Sequence, residues 1–202
     1  MDKNVPNRCP VALLLIDVIN DLEFAGGELL LPAARQMAVN IARLKARAAA
    51  AGIPVIYVND NFGKWRSDVR RLVSHCLKPG VRGREIARLL RPQEDDYFVL
   101  KPRHSGFFAS ALEVLLQALG ARTLILTGLA GNICVLYTAN DAYMRGYRLL
   151  VPGDCTASNT PSANEQSLRQ MRHQLKGDTS ESSALDLTRL AEEGPSLPTG
   201  QT

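Results

Sequence analysis

The stretch Val11-Ala-Leu-Leu-Leu-Ile-Asp17 places six apolar residues in a row directly before a carboxylate. A continuous apolar run of this length is typical of a strand that is buried on both faces, as in a parallel sheet. It is far shorter than the roughly 20 apolar residues that a membrane span requires. The stretch therefore predicts an interior parallel strand, and we expect no membrane partner.

The same succession of strand, helix and glycine recurs along the chain. Gly52, Gly120 and Gly146 each stand before an apolar strand, where the left-handed conformation open to glycine can end a helix. The predicted helices begin at Pro32, Arg84, Phe108, Ile133 and Pro161, and the predicted strands after the first begin at Pro54, Tyr97, Thr123, Tyr147 and, as a weak strand, Ser183. Repeated alternation of strand and helix indicates parallel pairing. The predicted fold class is therefore α/β, with three layers, α/β/α, around an open and mainly parallel sheet of about six strands.

Length and composition agree with a single globular domain. The chain has 202 residues, of which 46% are hydrophobic and 22% are charged. A folded chain of this size buries roughly 70% of the surface that its unfolded form exposes, so it needs no disulfide or metal to stabilise a core. We expect one domain over residues 1–190 and a flexible tail over 191–202, where Gly, Pro, Ser and Thr are frequent.

Cysteine usage and charge bear on the compartment and on the partners. Cys9, Cys76, Cys134 and Cys155 show no regular spacing and no secretory signal precedes them, so we expect thiols and a cytoplasmic location. The net charge of +4 comes largely from residues 64–91. That stretch has one aromatic residue and no nucleic-acid-binding motif, so we expect a solvated basic face and no nucleic-acid partner.

Three polar residues that could take part in catalysis lie at or after the ends of predicted strands. Asp17 closes the first strand, Lys101 closes the third, and Cys134 follows the fourth strand across a short turn, at the start of a helix. In open parallel sheets the ligand crevice lies beyond the carboxyl ends of the strands. A carboxylate, an ammonium and a thiol are therefore expected to converge there.

These three side-chain types together favour nucleophilic catalysis by the cysteine. A free thiol has a pKa near ~8.5, and a helix N-terminus and a lysine both stabilise the thiolate. We therefore expect a lowered pKa for Cys134. The carboxylate of Asp17 would hold Lys101, take the thiol proton as the sulfur attacks a carbonyl, and return it to the leaving group.

Each of the three residues also has an ordinary structural interpretation. A cysteine at the start of a helix is often a small packing group, because cysteine is among the most buried residue types. Asp17 after a strand fits a cap or turn residue, and Lys101 before Pro102 fits a surface lysine. Taken singly, their positions leave both interpretations open.

Three stretches resemble the motifs of one family, the isochorismatase-like cysteine hydrolases, which include nicotinamidases, N-carbamoylsarcosine amidases and ureidoacrylate amidohydrolases. They are Leu14-Leu-Ile-Asp-Val-Ile-Asn-Asp-Leu22, Val99-Leu-Lys-Pro-Arg-His-Ser-Gly-Phe107 and Leu126-Thr-Gly-Leu-Ala-Gly-Asn-Ile-Cys-Val135. The resemblance covers roughly residues 11–158. It implies an isochorismatase-like, Rossmann-like fold, a catalytic triad of Asp17, Lys101 and Cys134, and a homo-oligomer.

The resemblance also implies how the substrate is held. It implies a cis peptide bond between Leu129 and Ala130, with the backbone N–H groups of Ala130 and Cys134 forming an oxyanion hole. The residues that it places in the substrate pocket lie on the loops after the first two strands: Phe24, Asn59, Asp60, Phe62 and Trp65. Aromatic rings there would sandwich a flat carbonyl substrate, while Asn59 would fix its orientation. The alternative is a small hydrophobic cluster under a long loop.

Two histidines, His104 and His75, bear on the site. We expect His104, close after Lys101, to be a solvated loop residue, although it could line the pocket. Nicotinamidase-like members bind a metal through an Asp-x-His pair after the second strand, whereas here Asp60 is followed by Asn61 and Phe62. His75 alone does not complete such a site. We therefore expect no metal and no cofactor.

The sequence thus predicts a hydrolase that cleaves a C–N bond in a small amide, ureido or carbamoyl compound through a thioester on Cys134. Two alternatives remain open. One is isochorismatase-type hydrolysis of a vinyl ether, driven by Asp17 alone. The other is a catalytically silent member of the family that only binds a small molecule. An oxidoreductase that binds a dinucleotide is disfavoured, because no Gly-x-Gly-x-x-Gly motif follows the first strand.

Overall fold

Strands and helices alternate along the chain, which is described here by a computed structural model over residues 8–60 and 68–193. The strands are β1 (Val11–Ile16), β2 (Val55–Asp60), β3 (Tyr97–Lys101), β4 (Thr123–Leu129), β5 (Arg148–Leu150) and β6 (Thr156–Ala157). The helices are α1 (Gly27–Ala50), α2 (Val69–Cys76), α3 (Arg84–Leu89), α4 (Leu112–Leu119), α5 (Leu136–Met144), α6 (Pro161–Gln174) and α7 (Leu187–Glu192).

The strands form one sheet of six, in the order β3-β2-β1-β4-β5, with β6 paired to the end of β4. Every pairing between these strands is parallel. β1 lies in the centre, where Leu14 pairs with Ile56 of β2 on one side and with Leu126 of β4 on the other. The predicted fold class is confirmed.

Two hydrophobic cores cover the two faces of the sheet. Neighbouring residues of β1 point to opposite faces, so Leu15 belongs to the core under α1, α3 and α7, while Leu14 belongs to the core under α4, α5 and α6. Both leucines are completely buried. This arrangement gives the three layers expected from the sequence and explains why β1 is apolar at every position.

Several predicted boundaries differ from the structure. α1 begins at Gly27, so Pro32 lies inside the helix instead of opening it. A Cβ at Gly27 would lie 2.0 Å from the Leu22 carbonyl oxygen, so glycine permits the close approach that starts the helix early. Phe108 lies before α4 and is exposed. The long connection between β2 and β3 also contains α2, which was not predicted.

The weak strand predicted from Ser183 is wrong. A short 3-10 helix, Ser182–Ala184, and α7 occupy that part of the chain. The Asp154 carboxylate accepts hydrogen bonds from the Ser182 N–H and hydroxyl, both at 2.7 Å, and Asp186 caps α7. These contacts with side chains distant in sequence decide the local conformation.

The carboxyl-terminal end is described as far as residue 193, with α7 running to Glu192. The helix therefore extends two residues into the predicted tail, and residues 194–202 lie outside the described residues. No helix within the described ranges is both long enough and apolar enough to cross a bilayer.

Candidate active site

Asp17 directly follows β1 and has an unusual backbone conformation. Its φ is 51°, in the left-handed region that residues other than glycine seldom adopt, although aspartate tolerates it better than most. Its N–H still donates to the Val58 carbonyl at 2.9 Å, which keeps the residue in register with β2. Conformations of this kind persist where the surroundings impose them, and they cluster at functional sites.

Lys101, the last residue of β3, contacts the other two residues of the predicted triad. Its Nζ lies 2.9 Å from Asp17 Oδ2 and 3.6 Å from Cys134 Sγ. The Lys101 side chain is completely buried, and only 7% of the Asp17 side chain is exposed. Nζ also donates to the Arg103 carbonyl at 3.1 Å and lies 4.0 Å from Asp60 Oδ2. The carboxylate, ammonium and thiol do converge at the carboxyl end of the sheet.

Cys134 lies in a turn of π-helix, Gly131–Val135, that leads into α5. Two hydrogen bonds connect the turn to residues later in the chain. The Asn132 N–H donates to Ser158 Oγ at 3.1 Å, and Ser158 Oγ donates to Asn164 Oδ1 at 3.1 Å. π-Helical turns are frequent at functional sites. The positive end of the α5 dipole is close to the sulfur, as the sequence predicts.

Hydrogen bonds connect the segment after β3 to α5, the helix that follows Cys134. The Gly106 N–H donates to Thr138 Oγ1 at 2.9 Å, and Thr138 Oγ1 donates to the Cys134 carbonyl at 2.7 Å. The Ser105 hydroxyl also donates to the Asp141 carboxylate. These bonds hold the segment that carries the lysine and the helix that carries the thiol as one unit.

Burial and charge set the protonation of the ion pair. Burial raises the pKa of Asp17 above that of an ordinary carboxyl group, and the charge of Lys101 offsets this only in part. Burial works against the charged form of Lys101, but the attraction of Asp17, Cys134 and Asp60 outweighs it, and the pKa of Lys101 is raised. Asp17 is therefore a stronger base than an exposed aspartate, next to a lysine that keeps its proton.

The expected lowering of the Cys134 pKa is wrong. Burial, as the larger cause, and the negative charge of Asp17 together raise the pKa of the thiol to about 12, and Lys101 offsets only part of this effect. Lys101 is itself paired with Asp17 at 2.9 Å. In the resting site the thiol holds its proton, so that proton has to be removed during the attack.

The peptide bond that the resemblance places beside the oxyanion hole differs from the expectation. The Leu129–Ala130 peptide bond is trans, and trans is the lower-energy form of a peptide bond that does not precede proline. Ala130 is extended, and its carbonyl accepts hydrogen bonds from the N–H groups of Ile133 and Val135 at 3.0 and 3.2 Å. The expected cis bond is therefore wrong, while the oxyanion hole formed by the N–H groups of Ala130 and Cys134 stays a prediction.

His104 is closer to the chemistry than the sequence indicates. Its Nδ1 lies 3.9 Å from Cys134 Sγ, and its ring packs at a tilt against Tyr137 of α5, with 5.5 Å between the ring centroids. The residue is exposed to solvent, as predicted, but it lines the site. Its position three residues after Lys101 was the available signal, and only the bend after β3 shows that both residues reach the same sulfur.

The residues predicted to bind the substrate are placed as follows. Asn59 is completely buried. Its side-chain N–H donates to the Ile19 carbonyl at 2.8 Å, and its side-chain oxygen accepts from the Ile19 N–H at 3.4 Å. The side chain therefore holds the loop after β1 in place and does not face a ligand. The Asp60 N–H donates to Asp17 Oδ1 at 2.7 Å. Phe24 is 43% exposed, and its role stays a prediction. Phe62 and Trp65 lie outside the described residues.

Metal binding would depend on His75 and on acidic side chains. His75 Nε2 lies 2.9 Å from Asp21 Oδ2, in a hydrogen-bonded contact on the surface. Within the described ranges, no group of three or more histidine, cysteine, aspartate or glutamate side chains has an arrangement that could hold a metal ion. All four cysteines, Cys9, Cys76, Cys134 and Cys155, are free thiols.

Comparison with known proteins assigns the family. The sequence pattern of the isochorismatase domain matches residues 11–182. The isochorismatase family protein YaaI of Bacillus subtilis is 42% identical over 84% of this chain and 92% of its own length. The ureidoacrylate amidohydrolase RutB of Methylorubrum extorquens is 29% identical over 92% of this chain and 85% of its own.

A solved structure gives the same result. The crystal structure of N-carbamoylsarcosine amidase from Thermoplasma acidophilum has a TM-score of 0.68 and 29% sequence identity, over 87% of this chain and 98% of its own. The motifs that carry the resemblance in the sequence lie within the matched residues 11–182. The chain belongs to the isochorismatase family of hydrolases.

Proposed function

We propose that this protein hydrolyses a C–N bond in a small amide, ureido or carbamoyl compound through a thioester on Cys134. The observation that carries the proposal is the contact of Lys101 Nζ with both Asp17 Oδ2, at 2.9 Å, and Cys134 Sγ, at 3.6 Å. A buried base, a fixed cation and a partly exposed thiol are the groups that nucleophilic attack on a carbonyl requires. The names of the relatives, which include amidohydrolases and an amidase, support the class of bond.

The first step follows from the pKa directions. The thiol is protonated at rest, since its pKa is raised to about 12. Asp17, whose pKa is raised by burial, accepts that proton as the sulfur attacks the carbonyl carbon. Lys101 remains protonated and balances the negative charge that passes from the carboxylate to the sulfur and the carbonyl oxygen. Collapse of the tetrahedral intermediate breaks the C–N bond as the departing nitrogen gains a proton, and the acyl group stays on sulfur. Water then attacks the thioester and loses a proton, the C–S bond breaks to release the acid, and the sulfur recovers its proton from Asp17.

A cysteine at this position favours amide cleavage over vinyl-ether hydrolysis. Attack by sulfur gives a covalent acyl-enzyme, which an amide, ureido or carbamoyl carbonyl can form and a vinyl ether cannot. Hydrolysis of a vinyl ether would need Asp17 alone and would leave the Cys134 contacts without a chemical role. The thioester route uses all three residues of the cluster.

A screen for ammonia release tests the proposal. The compounds are nicotinamide, carbamoyl amino acids, ureidoacrylate-like amides and maleamate-like amides. We expect release of ammonia with at least one of them, together with an acyl mass increment on the peptide that contains Cys134 when the reaction is quenched with acid. Cys134→Ala should abolish both signals.

Cys9→Ala is the matched control, because Cys9 is a buried thiol that precedes β1, at the amino end of the strands and away from the site. It should keep the activity of the unchanged chain. Ammonia release that survives Cys134→Ala would exclude the thioester. Turnover of a vinyl ether by Cys134→Ala, without turnover of any amide, would establish the alternative driven by Asp17.

A further inference from the structure

The thiol of Cys134 has different surroundings on its two sides. On the interior side lie Lys101, completely buried, and Asp17, which is 5% exposed. On the solvent side lies the exposed imidazole of His104, with Nδ1 3.9 Å from the sulfur. The family motifs that supported the assignment do not give this histidine a role.

Protons have to move on both sides of the sulfur during hydrolysis of an amide. The thiol proton can leave inwards, to Asp17. The departing nitrogen must gain a proton, and the water that attacks the thioester must lose one, and both of these groups enter or leave through solvent. Both oxygens of Asp17 are engaged, Oδ2 with Lys101 at 2.9 Å and Oδ1 with the Asp60 N–H at 2.7 Å. After the attack Asp17 also holds the thiol proton, so it cannot take a second proton from the water on the exposed side.

We propose that His104 is a second catalytic residue, which gives a proton to the departing nitrogen and takes one from the water that hydrolyses the thioester. This inference rests on the proposed function. A general acid or base must lie within hydrogen-bond reach of the group it serves, directly or through one water molecule. An imidazole in contact with the sulfur satisfies this condition for groups bound to the acyl carbon that the sulfur carries.

The proton balance closes over one turnover. In acylation, the thiol proton goes to Asp17, the S–C bond forms, the C–N bond breaks, and imidazolium gives its Nδ1 proton to the leaving nitrogen, so a neutral amine departs. In deacylation, water loses a proton to the neutral imidazole, and its oxygen bonds to the acyl carbon. The C–S bond then breaks and the sulfur recovers its proton from Asp17. The sum is amide plus water giving acid plus amine.

The ring of His104 lies next to the thiol. Its Nδ1 is 3.9 Å from Cys134 Sγ, and the ring packs against Tyr137 of α5. Imidazole is the side chain that ordinarily changes charge between pH 5 and 8. It can therefore act as an acid in one half of the cycle and as a base in the other.

An activated ester separates the two halves of the cycle without knowledge of the natural substrate. With 4-nitrophenyl acetate the leaving group needs no proton, so acylation of Cys134, seen as a burst of nitrophenolate, does not depend on a general acid. Deacylation, seen as the steady rate after the burst, still needs water to lose a proton. We expect His104→Gln to keep the burst and to lower the steady rate by about 100-fold or more.

The control is His173→Gln, because His173 is an exposed histidine on α6. It should match the unchanged chain in both phases.

Three results would decide against the inference, and they differ from one another. Equal steady rates in His104→Gln and His173→Gln would exclude His104 as the base while leaving the thioester intact. A burst that falls together with the steady rate would assign His104 a role in packing alone. Nitrophenolate release that does not depend on Cys134 would overturn the proposed function itself, and this inference with it.

Discussion

Asp17 and Lys101 act on the Cys134 thiol in opposite directions. The negative charge of Asp17 raises the pKa of the thiol, and the positive charge of Lys101 lowers it. We therefore expect Asp17→Asn to lower the pKa of Cys134 and to accelerate its alkylation by iodoacetamide at pH 8, by about tenfold for each pKa unit. The same variant should lose C–N turnover by about 100-fold or more, because it has no base.

The measurement is the rate of mass gain on the peptide that contains Cys134, followed in parallel with ammonia release. Cys134→Ala in the Asp17→Asn background identifies any alkylation elsewhere. Slower alkylation in Asp17→Asn would mean that the carboxylate assists removal of the thiol proton even without a substrate, which reverses the sign of the interaction derived from the charges.

Replacement of Lys101 should lower the free energy of unfolding, because Asp17 would then be a buried carboxylate without a cation. Lys101→Met leaves Asp17 without its cation, and breaking a buried pair in this way costs about 3–5 kcal/mol of unfolding free energy. Burial already raises the pKa of Asp17, and without Lys101 that pKa rises further. The folded protein then binds a proton that the unfolded chain releases, so stability should fall as pH rises from the ordinary carboxyl pKa through the raised pKa of Asp17.

Urea unfolding of Lys101→Met at pH 5 and pH 8 measures this difference. Lys78→Met, at an exposed lysine, should change the unfolding free energy by no more than about 0.5 kcal/mol at either pH. Equal losses for Lys101→Met at both pH values would mean that Asp17 does not take up the proton, contrary to the raised pKa.

The sequence indicated which three side chains meet at the end of the sheet but not the state of their protons. Asp17, Lys101 and Cys134 could be singled out because each lies at or after the end of an apolar strand, and the resemblance to the family then implied a triad. The degree of burial could not be found in this way, since it depends on segments distant in the chain, and burial is what raises the pKa of the thiol to about 12. The hydrogen bonds of Asn59 with Ile19 were hidden for the same reason.

At the scale of elements, the end of β4 depends on one glycine. Gly128 has a φ of 111°, and a Cβ there would lie 2.0 Å from the Ile16 carbonyl oxygen of β1. Gly128→Ala must therefore separate two central strands next to Asp17, and we expect a loss of about 3 kcal/mol or more. Gly52→Ala is the control: its φ is 70° but nothing lies within 4 Å of the added atom, so we expect a loss of about 1–2 kcal/mol.

Urea unfolding monitored by circular dichroism compares the two alanine variants. Similar losses would mean that the backbone conformation alone accounts for both and that β1 and β4 tolerate a side chain between them. The sequence showed glycines before strands, but it gave no sign that Gly128, inside a strand, serves a close approach. Contacts between β1 and β4 become visible only in the sheet.

The bond between the segment after β3 and α5 can also be tested. Thr138→Val removes the acceptor of the Gly106 N–H and the hydroxyl that donates to the Cys134 carbonyl. Leaving a buried N–H without a partner costs about 1–3 kcal/mol. We also expect a slower burst with 4-nitrophenyl acetate, because the segment that carries Lys101 loses an attachment to the helix that follows the thiol.

Thr138→Ser is the matched variant, since it keeps the hydroxyl and loses only a methyl group. It should retain the burst rate of the unchanged chain. A slower burst in both variants would assign the effect to packing at the buried Thr138 position and not to the hydrogen bonds.

At the scale of the whole molecule, one sheet serves both cores. The strand that carries Leu14 and Leu15 therefore cannot lose its order on one face alone. The alternation of strands and helices was enough to predict this architecture, because an all-apolar β1 requires cover on both faces. The start of α1, the presence of α2 and the presence of α7 depend on contacts between segments, so the pattern of the sequence did not determine them.

A single domain should unfold as one unit even when only one core is damaged. Leu15→Ala creates a cavity on the face of α1, and Leu14→Ala creates one on the face of α4, at a cost of about 2–5 kcal/mol each. Because both positions lie on β1, each variant should shift one common urea transition, seen alike by far-ultraviolet circular dichroism and by tyrosine fluorescence. Tyr57 lies in the first core and Tyr147 packs against the second, so the fluorescence reports on both faces. Two separate transitions, with Leu14→Ala moving only one of them, would mean that the layers are independent folding units and that residues 1–190 do not form one cooperative domain.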